Sequence, residues 1–152
     1  MAVVPELGSS RRNTRMSFSA TELWNAWLAS PEIRELAEAW ITKPAGQWTH
    51  EDERLHELFG DAPRGTSVAP DRALATIFAI MQLTDDPKTL GSLGAGPFEN
   101  FLGKHGEAYL DVIHALALEH RRLREVLNDV WQGSMPKRVW HKIEILKQSA
   151  FS

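Results

Sequence analysis

The chain has 152 residues, of which 43% are hydrophobic and 24% charged, and its formal net charge is −3. This composition is typical of a globular domain and excludes an intrinsically disordered chain, because the apolar content suffices for a core. The absence of cysteine excludes disulfides and thiolate metal sites, and the apolar run over 73–84 is much shorter than the ~20 residues that a membrane span requires.

The segment 1–16 precedes the first periodic pattern and is rich in Ser, Arg and Asn. No apolar stretch follows its arginines, so it is not typical of a secretory signal. We therefore expect a flexible N-terminal leader over 1–16, with Met16 as an alternative start. A single helical domain over 17–149 should follow, and we expect a cytoplasmic protein.

Apolar residues recur with a helical period in the first half of the chain, and no segment alternates as a strand would. A first helix is predicted to begin near Ser19, and a second at Ser30-Pro31 with an apolar stripe along it. A short acidic helix over 49–59 and a Gly- and Pro-rich loop over 60–70 come next. The segment 71–84 is apolar nearly all round, which predicts a helix at the centre of the fold.

Further helical segments complete the pattern. Asp86-Pro87 is predicted to begin one helix, and Gly96-Pro97 another that ends at 103–106. Three later helices are marked by apolar residues over 109–116, 123–131 and 139–146. The short turns favour antiparallel hairpins, so we predict an all-α, single-domain irregular bundle of about eight short to medium helices. A short α-solenoid is the alternative, although no repeat of fixed period is present.

Residues 90–147 contain a pattern of turn and packing residues: Gly-Pro-x-Glu with a following Leu, then His-Gly, then Val-Trp and a last Trp. The matching positions are Gly96, Pro97, Glu99, Leu102, His105, Gly106, Val130, Trp131 and Trp140. In this pattern the segment resembles a family of small all-helical bacterial domains of unknown function. The resemblance implies a helical fold and transfers no catalytic residue, because the family has no known activity.

Charge is unevenly distributed along the chain. Residues 49–112 carry eleven acidic and five basic side chains, a balance of −6, whereas residues 113–152 carry four and seven, a balance of +3. Such a division predicts a dipolar surface. We expect no nucleic-acid partner, because binding to phosphates requires a strongly basic face.

Two carboxylate–histidine pairs, Glu53/His56 and Asp111/His114, have the i, i+3 spacing that di-metal helical bundles use. Both pairs lie off the apolar stripe of their helix, so we predict solvated side chains and no metal site. The sequence also has no nucleophile elbow, phosphate-binding loop or HExxH motif. We therefore assign no catalytic residue and no cofactor.

Glu99 and His105 have two interpretations. In the first, both stabilise the helix between them: Glu99 accepts from free N–H groups at its start, and His105 lies at its carboxyl end, where an imidazolium is favoured. In the second, the two side chains line a small-ligand or catalytic site around the 96–106 turn.

The chain has six tryptophans and one tyrosine. Three lie within apolar stripes and are predicted to be core residues: Trp24, Trp27 and Trp40. Trp131 and Trp140 lie on the shoulder of their stripes, with Arg138 and Lys142 as basic neighbours. Exposed tryptophan edges beside basic residues are typical of binding hot spots, whereas the structural alternative is that both rings only close the end of the bundle.

These patterns favour a non-enzymatic protein–protein interaction module, of which a bacterial immunity protein or antitoxin is one specific case. Two alternatives stay open. One is a small-ligand-binding protein or enzyme with its site around the 96–106 turn. The other is a self-associating helical scaffold in which Trp131 and Trp140 pack against a second copy.

Overall fold

The computed structural model describes residues 20–42 and 70–149. Every regular element in these two ranges is helical and none is a strand, which confirms the all-α prediction. None of these helices is long and apolar enough to cross a membrane. The residues form two compact units, which divide between Thr84 and Asp85. The predicted leader over 1–16, the acidic helix over 49–59 with Glu53 and His56, and most of the 60–70 loop lie outside the described residues.

The described part of the first unit contains four helices: α1 (Ala20–Trp24), α2 (Ala26–Ala29), α3 (Pro31–Thr42) and α4 (Pro70–Leu83). Ser30 sets the start of α3, because its Oγ accepts a hydrogen bond from the Ile33 N–H at 3.2 Å. Pro31 takes the first helical position, where its missing N–H leaves no bond unmade. The predicted start at Ser30-Pro31 is confirmed.

The core of the first unit lies between α3 and α4. The most apolar helix of the sequence, α4, has buried residues all round from 73 to 81, as predicted. Trp24 is buried, with its ring 5.0 Å from that of Phe78. Trp27 and Trp40 are only partly buried, so the prediction that they are core residues is wrong. Trp40 shares the stripe of Ile33, Leu36 and Ala37 but lies near the end of α3, two positions before its last residue.

The second unit contains α5 (Pro87–Leu93), a π-helical turn (Gly94–Phe98), α6 (Glu99–Glu119), α7 (Arg121–Leu127) and α8 (Lys137–Ser149). Asp86 caps α5, where its carboxylate accepts from the Thr89 hydroxyl at 2.6 Å and the Thr89 N–H at 2.9 Å. These hydrogen bonds lower the pKa of Asp86 below its ordinary value.

The backbone stays helical from Pro87 to Glu119, so the predicted breaks at Gly96-Pro97 and at 103–106 are wrong. Pro97 is accommodated because it lies in the π-helical turn, whose wider spacing suits a residue that lacks an N–H. Gly94 and Gly106 serve close packing instead. A Cβ on Gly94 would lie 2.6 Å from the Val126 carbonyl oxygen, and one on Gly106 would lie 3.0 Å from a Val139 methyl.

A second correction concerns the end of α7. The apolar pattern predicts a helix up to Trp131, but α7 ends at Leu127. Short-range backbone hydrogen bonds tighten the chain beyond it, including one from the Val130 N–H to the Leu127 carbonyl at 3.0 Å. Trp131 therefore lies in the connection over 128–136, which also contains Gly133 with a positive φ of 48°.

The core of the second unit is formed by the inner faces of all its helices. Its fully buried members include Leu93, Phe98, Leu102, Ile113, Leu116, Leu123, Leu127, Val130, Val139 and Ile143. The helix α6 packs against both α7 and α8. That residues 17–149 constitute one domain stays a prediction.

Candidate functional site

The structure brings Trp131 and Trp140 to a single lysine. The Lys147 Nζ lies 5.5 Å from the centre of the Trp131 ring and 4.8 Å from the centre of the Trp140 ring. It also donates a hydrogen bond to the Val130 carbonyl at 3.0 Å. Both rings lie within the range at which an ammonium is attracted to an indole face. We call Trp131, Trp140 and Lys147 the tryptophan–lysine cluster.

The three members of the cluster differ in burial. Trp131 is 70% exposed, which is the largest value among the large hydrophobic residues that the structure describes. Trp140 and Lys147 are half-buried. The shoulder position predicted for Trp140 on its helix agrees with this. The cluster is thus an apolar surface with one cationic group set into it.

The geometry of α8 decides which basic residues join the cluster. Trp140 and Lys147 are seven positions apart, so they differ by only about 20° around the helix. Arg138 and Lys142 lie about 160° from Trp140, on the other side of α8. Arg138 pairs there with Glu107 of α6, at 3.3 Å between Nη1 and Oε2. The structure therefore does not bring Arg138 and Lys142 together with the two tryptophans.

Glu99 holds the backbone that carries Trp131. Its Oε1 accepts a hydrogen bond from the Trp131 main-chain N–H at 3.0 Å. Gly133 packs against the same carboxylate, since a Cβ there would lie 3.2 Å from Oε2. The first residue of α6 thus contacts the 128–136 connection at two points, through one hydrogen bond and one close approach.

His105 lies elsewhere. It is six positions from Glu99 on the continuous helix α6, so the two side chains project about 120° apart. Its ring packs beside Phe101, with the ring centres 5.3 Å apart, and burial, together with the charge of Lys104, lowers the pKa of His105. His105 is within α6 and not at its carboxyl end, and Glu99 follows a helical residue, so the predicted capping roles are wrong for both.

A cavity of about 210 Å³ lies between α5 and α7. Its walls combine apolar side chains with three carboxylates and one guanidinium: Asp85, Pro87, Leu90, Arg122, Glu125, Val126 and Asp129. Neither Glu99 nor His105 is among these residues. Within the described part of the chain, no three His, Asp or Glu side chains are grouped closely enough to hold a metal ion; Asp111 is exposed and His114 half-buried.

Sequence reasoning did not identify Lys147. Its i, i+7 relation to Trp140 is a usable signal, because it places the two side chains on one stripe of a helix. The cavity had no such signal, because it arises from the packing of two separate helices.

A model of a family described as a family of unknown function (DUF6869) matches residues 50–151. The match covers more than half of the chain, and the chain belongs to this family. The resemblance noted for residues 90–147 is confirmed. No curated protein and no solved structure gives a significant match.

Proposed function

We propose that this member of the family is a non-enzymatic protein-interaction module of the bacterial cytoplasm, and that the tryptophan–lysine cluster is its contact surface. The observation that carries the proposal is the 70% exposure of Trp131 on a backbone that Glu99 holds in place. Water is a poor environment for an indole ring, so an exposed tryptophan contributes little to folding and is available to a partner.

The cluster has the properties of a binding hot spot. Tryptophan offers a large, rigid apolar area, and burial of one ring under a partner removes about 150–250 Å² from water. The main chain of Trp131 needs little ordering on binding, because its N–H is already bonded to Glu99 at 3.0 Å. Such preorganisation reduces the entropy lost on association. The neighbouring ring of Trp140 extends the same surface.

The ligand-site alternative around the 96–106 turn gains no support from Glu99 and His105. Glu99 is engaged by the Trp131 N–H, and His105 packs against the Phe101 ring. An acid and a base that project about 120° apart on one helix are poorly placed to act on the same bound group.

Site-specific crosslinking tests the proposal. A photoreactive residue at Glu144, which is exposed on α8 near Trp140, should capture one partner protein, whereas the same residue at Leu118 should not. With that partner purified, W131A should bind about 30-fold more weakly than the unaltered protein, as expected for a hot spot. The matched control is L118A, which also removes a large exposed side chain (61% exposed) and should leave the Kd unchanged.

Three outcomes would contradict the proposed function. Equal Kd values for W131A and L118A refute the proposed surface. Crosslinks that join two copies of this chain replace the proposal by the self-associating scaffold, and light scattering would then show a dimer or larger species that W131A reduces. If the protein is found to convert a small molecule, and W131A converts it equally well, the enzyme alternative would be favoured.

The immunity-protein hypothesis is the case in which the partner is a toxin encoded beside this gene. It predicts that co-expression of this protein restores growth to cells that produce the toxin, and that the W131A variant does so poorly. Growth that does not depend on this protein would contradict the hypothesis and leave the more general proposal intact.

A further inference from the structure

Every hydrogen-bonding group that the side chains of the tryptophan–lysine cluster present is a donor. The Lys147 ammonium has three N–H groups, of which one is used by the Val130 carbonyl. The indole N–H groups of Trp131 and Trp140 have no acceptor among the described residues. An occupant of this surface therefore has to supply acceptors.

Lys147 also has no carboxylate partner in the described part of the chain. Glu99 is committed to the Trp131 main-chain N–H, and Glu144 lies about 40° further round α8 than Trp140, towards solvent. The ammonium is half-buried beside the two rings. It is the one charge within the cluster.

A partner that covers Trp131 must also cover the ammonium, because the Lys147 Nζ is only 5.5 Å from the centre of that ring. Burial of a charge without a counter-charge is costly. The partner can avoid this cost by placing an anion against the ammonium.

We infer that the tryptophan–lysine cluster recognises an Asp or Glu side chain of the partner protein, with apolar neighbours that cover the two rings. This inference rests on the proposed function and adds the chemistry of the partner. A protein carboxylate fits better than a nucleic-acid phosphate, because phosphate binding requires a basic face. The cluster has a single cation, and Arg138 and Lys142 lie on the other side of α8.

The test uses short peptides and the indole N–H signals of the ¹⁵N-labelled full chain. The first peptide is Ac-Gly-Leu-Glu-Gly-Leu-NH₂, and the second has Gln in place of Glu. The Glu peptide should shift the Trp131 and Trp140 indole signals saturably at concentrations up to about 10 mM, the range expected of a small contact. The Gln peptide should bind at least about fivefold more weakly, and added salt should reduce the difference.

Variants assign the effect to Lys147. K147M should abolish the preference for Glu over Gln, whereas K147R, which keeps the positive charge, should retain it. E144Q should strengthen binding of the Glu peptide, because it removes a nearby negative charge. L118A is the matched control and should change nothing. Circular dichroism of each variant verifies that the fold is intact.

Each other result overturns the inference. Equal binding of the Glu and Gln peptides would show that the surface recognises apolar area only. If the Glu peptide does not shift the indole signals, the surface has no carboxylate site. A shift caused only by Ac-Gly-Leu-Gly-Gly-Leu with a free carboxyl end points to a chain terminus, and one caused only by a single-stranded oligonucleotide points to phosphate.

The inference and the proposed function fail separately. If W131A loses the crosslinked partner while K147M keeps it and the peptides do not discriminate, the interaction surface stands and the carboxylate inference is wrong. If the Glu peptide is preferred while W131A still binds the partner normally, the cluster binds carboxylates and the proposed partner surface is elsewhere.

Discussion

The Glu99 carboxylate accepts a hydrogen bond from the Trp131 main-chain N–H at 3.0 Å, although 32 residues separate the two in sequence. Glu99 begins the 21-residue helix α6, which packs against both α7 and α8. The connection that carries the exposed indole is thereby fixed to a helix that packs against two others. The main chain at Trp131 is therefore held in place although its side chain is exposed.

Replacement of Glu99 should loosen this connection. We expect E99A to lower the free energy of unfolding by about 1 kcal/mol, because it removes a hydrogen bond to a charged acceptor that water partly reaches. E99Q keeps an oxygen acceptor and should lose less. Denaturant unfolding measures the stability, and hydrogen exchange of the Trp131 amide measures the local effect. If that amide exchanges equally fast in E99A and in the unaltered protein, the assigned role of Glu99 is wrong.

The glycines of the π-helical turn give a matched pair. A Cβ on Gly94 would lie 2.6 Å from the Val126 carbonyl oxygen and 3.0 Å from the Asp129 Cβ, whereas one on Gly96 would meet nothing within 4 Å. G94A should destabilise the protein by about 1–3 kcal/mol, because backbone atoms must shift to admit the methyl group. G96A should be neutral or stabilise by up to about 1 kcal/mol, because alanine favours helical backbone. A lower Tm for G96A than for G94A would contradict the packing described for this turn.

Arg124 closes the carboxyl end of α6. Its Nη1 donates to the Ala117 carbonyl at 2.6 Å and, at 3.5 Å, to that of Leu118. We expect R124M to cost about 1–2 kcal/mol, because the last carbonyls of the helix lose their cationic donor. Arg121 is the control: it forms an exposed i, i+4 ion pair with Glu125 at 3.1 Å, and R121M should change the stability by less than about 0.5 kcal/mol. If the denaturant midpoint falls equally in the two variants, the contact of Arg124 with the Ala117 carbonyl adds nothing to stability.

His105 should make stability depend on pH. Burial, together with the charge of Lys104, lowers the pKa of His105 below the ordinary value of 6.5, so the unfolded chain binds the proton more tightly than the folded one. The contribution of His105 is fully present above pH 6.5 and is lost as the pH falls through that value and below. Because asparagine does not titrate, the Tm of H105N should fall less between pH 7.5 and pH 5 than the Tm of the unaltered protein. Parallel pH profiles for the two proteins would refute the assignment.

Much of the helical architecture is predictable because its signals are local. The apolar stripe of α3 with Ser30-Pro31 at its start, and the apolar character of α4 all round, predict two helices that the structure confirms. The half-buried position of Trp140 follows from the period of its helix in the same way. A property that depends on one helix and its own period can be worked out from the sequence, since the required neighbours lie within a few positions.

The roles of the glycines and the position of Trp131 could be assigned only from the tertiary structure. A glycine is equally typical of a helix end and of a close helix contact, and only the atoms opposite Gly94 and Gly106 decide between the two. The apolar pattern runs on to Trp131, but α7 stops at Leu127 because the following backbone finds its hydrogen bonds elsewhere, among them the one to Glu99. The period of the sequence thus determined which residues face the core of each helix. Only the folded chain decided which distant residues meet, because those contacts join segments that no local pattern connects.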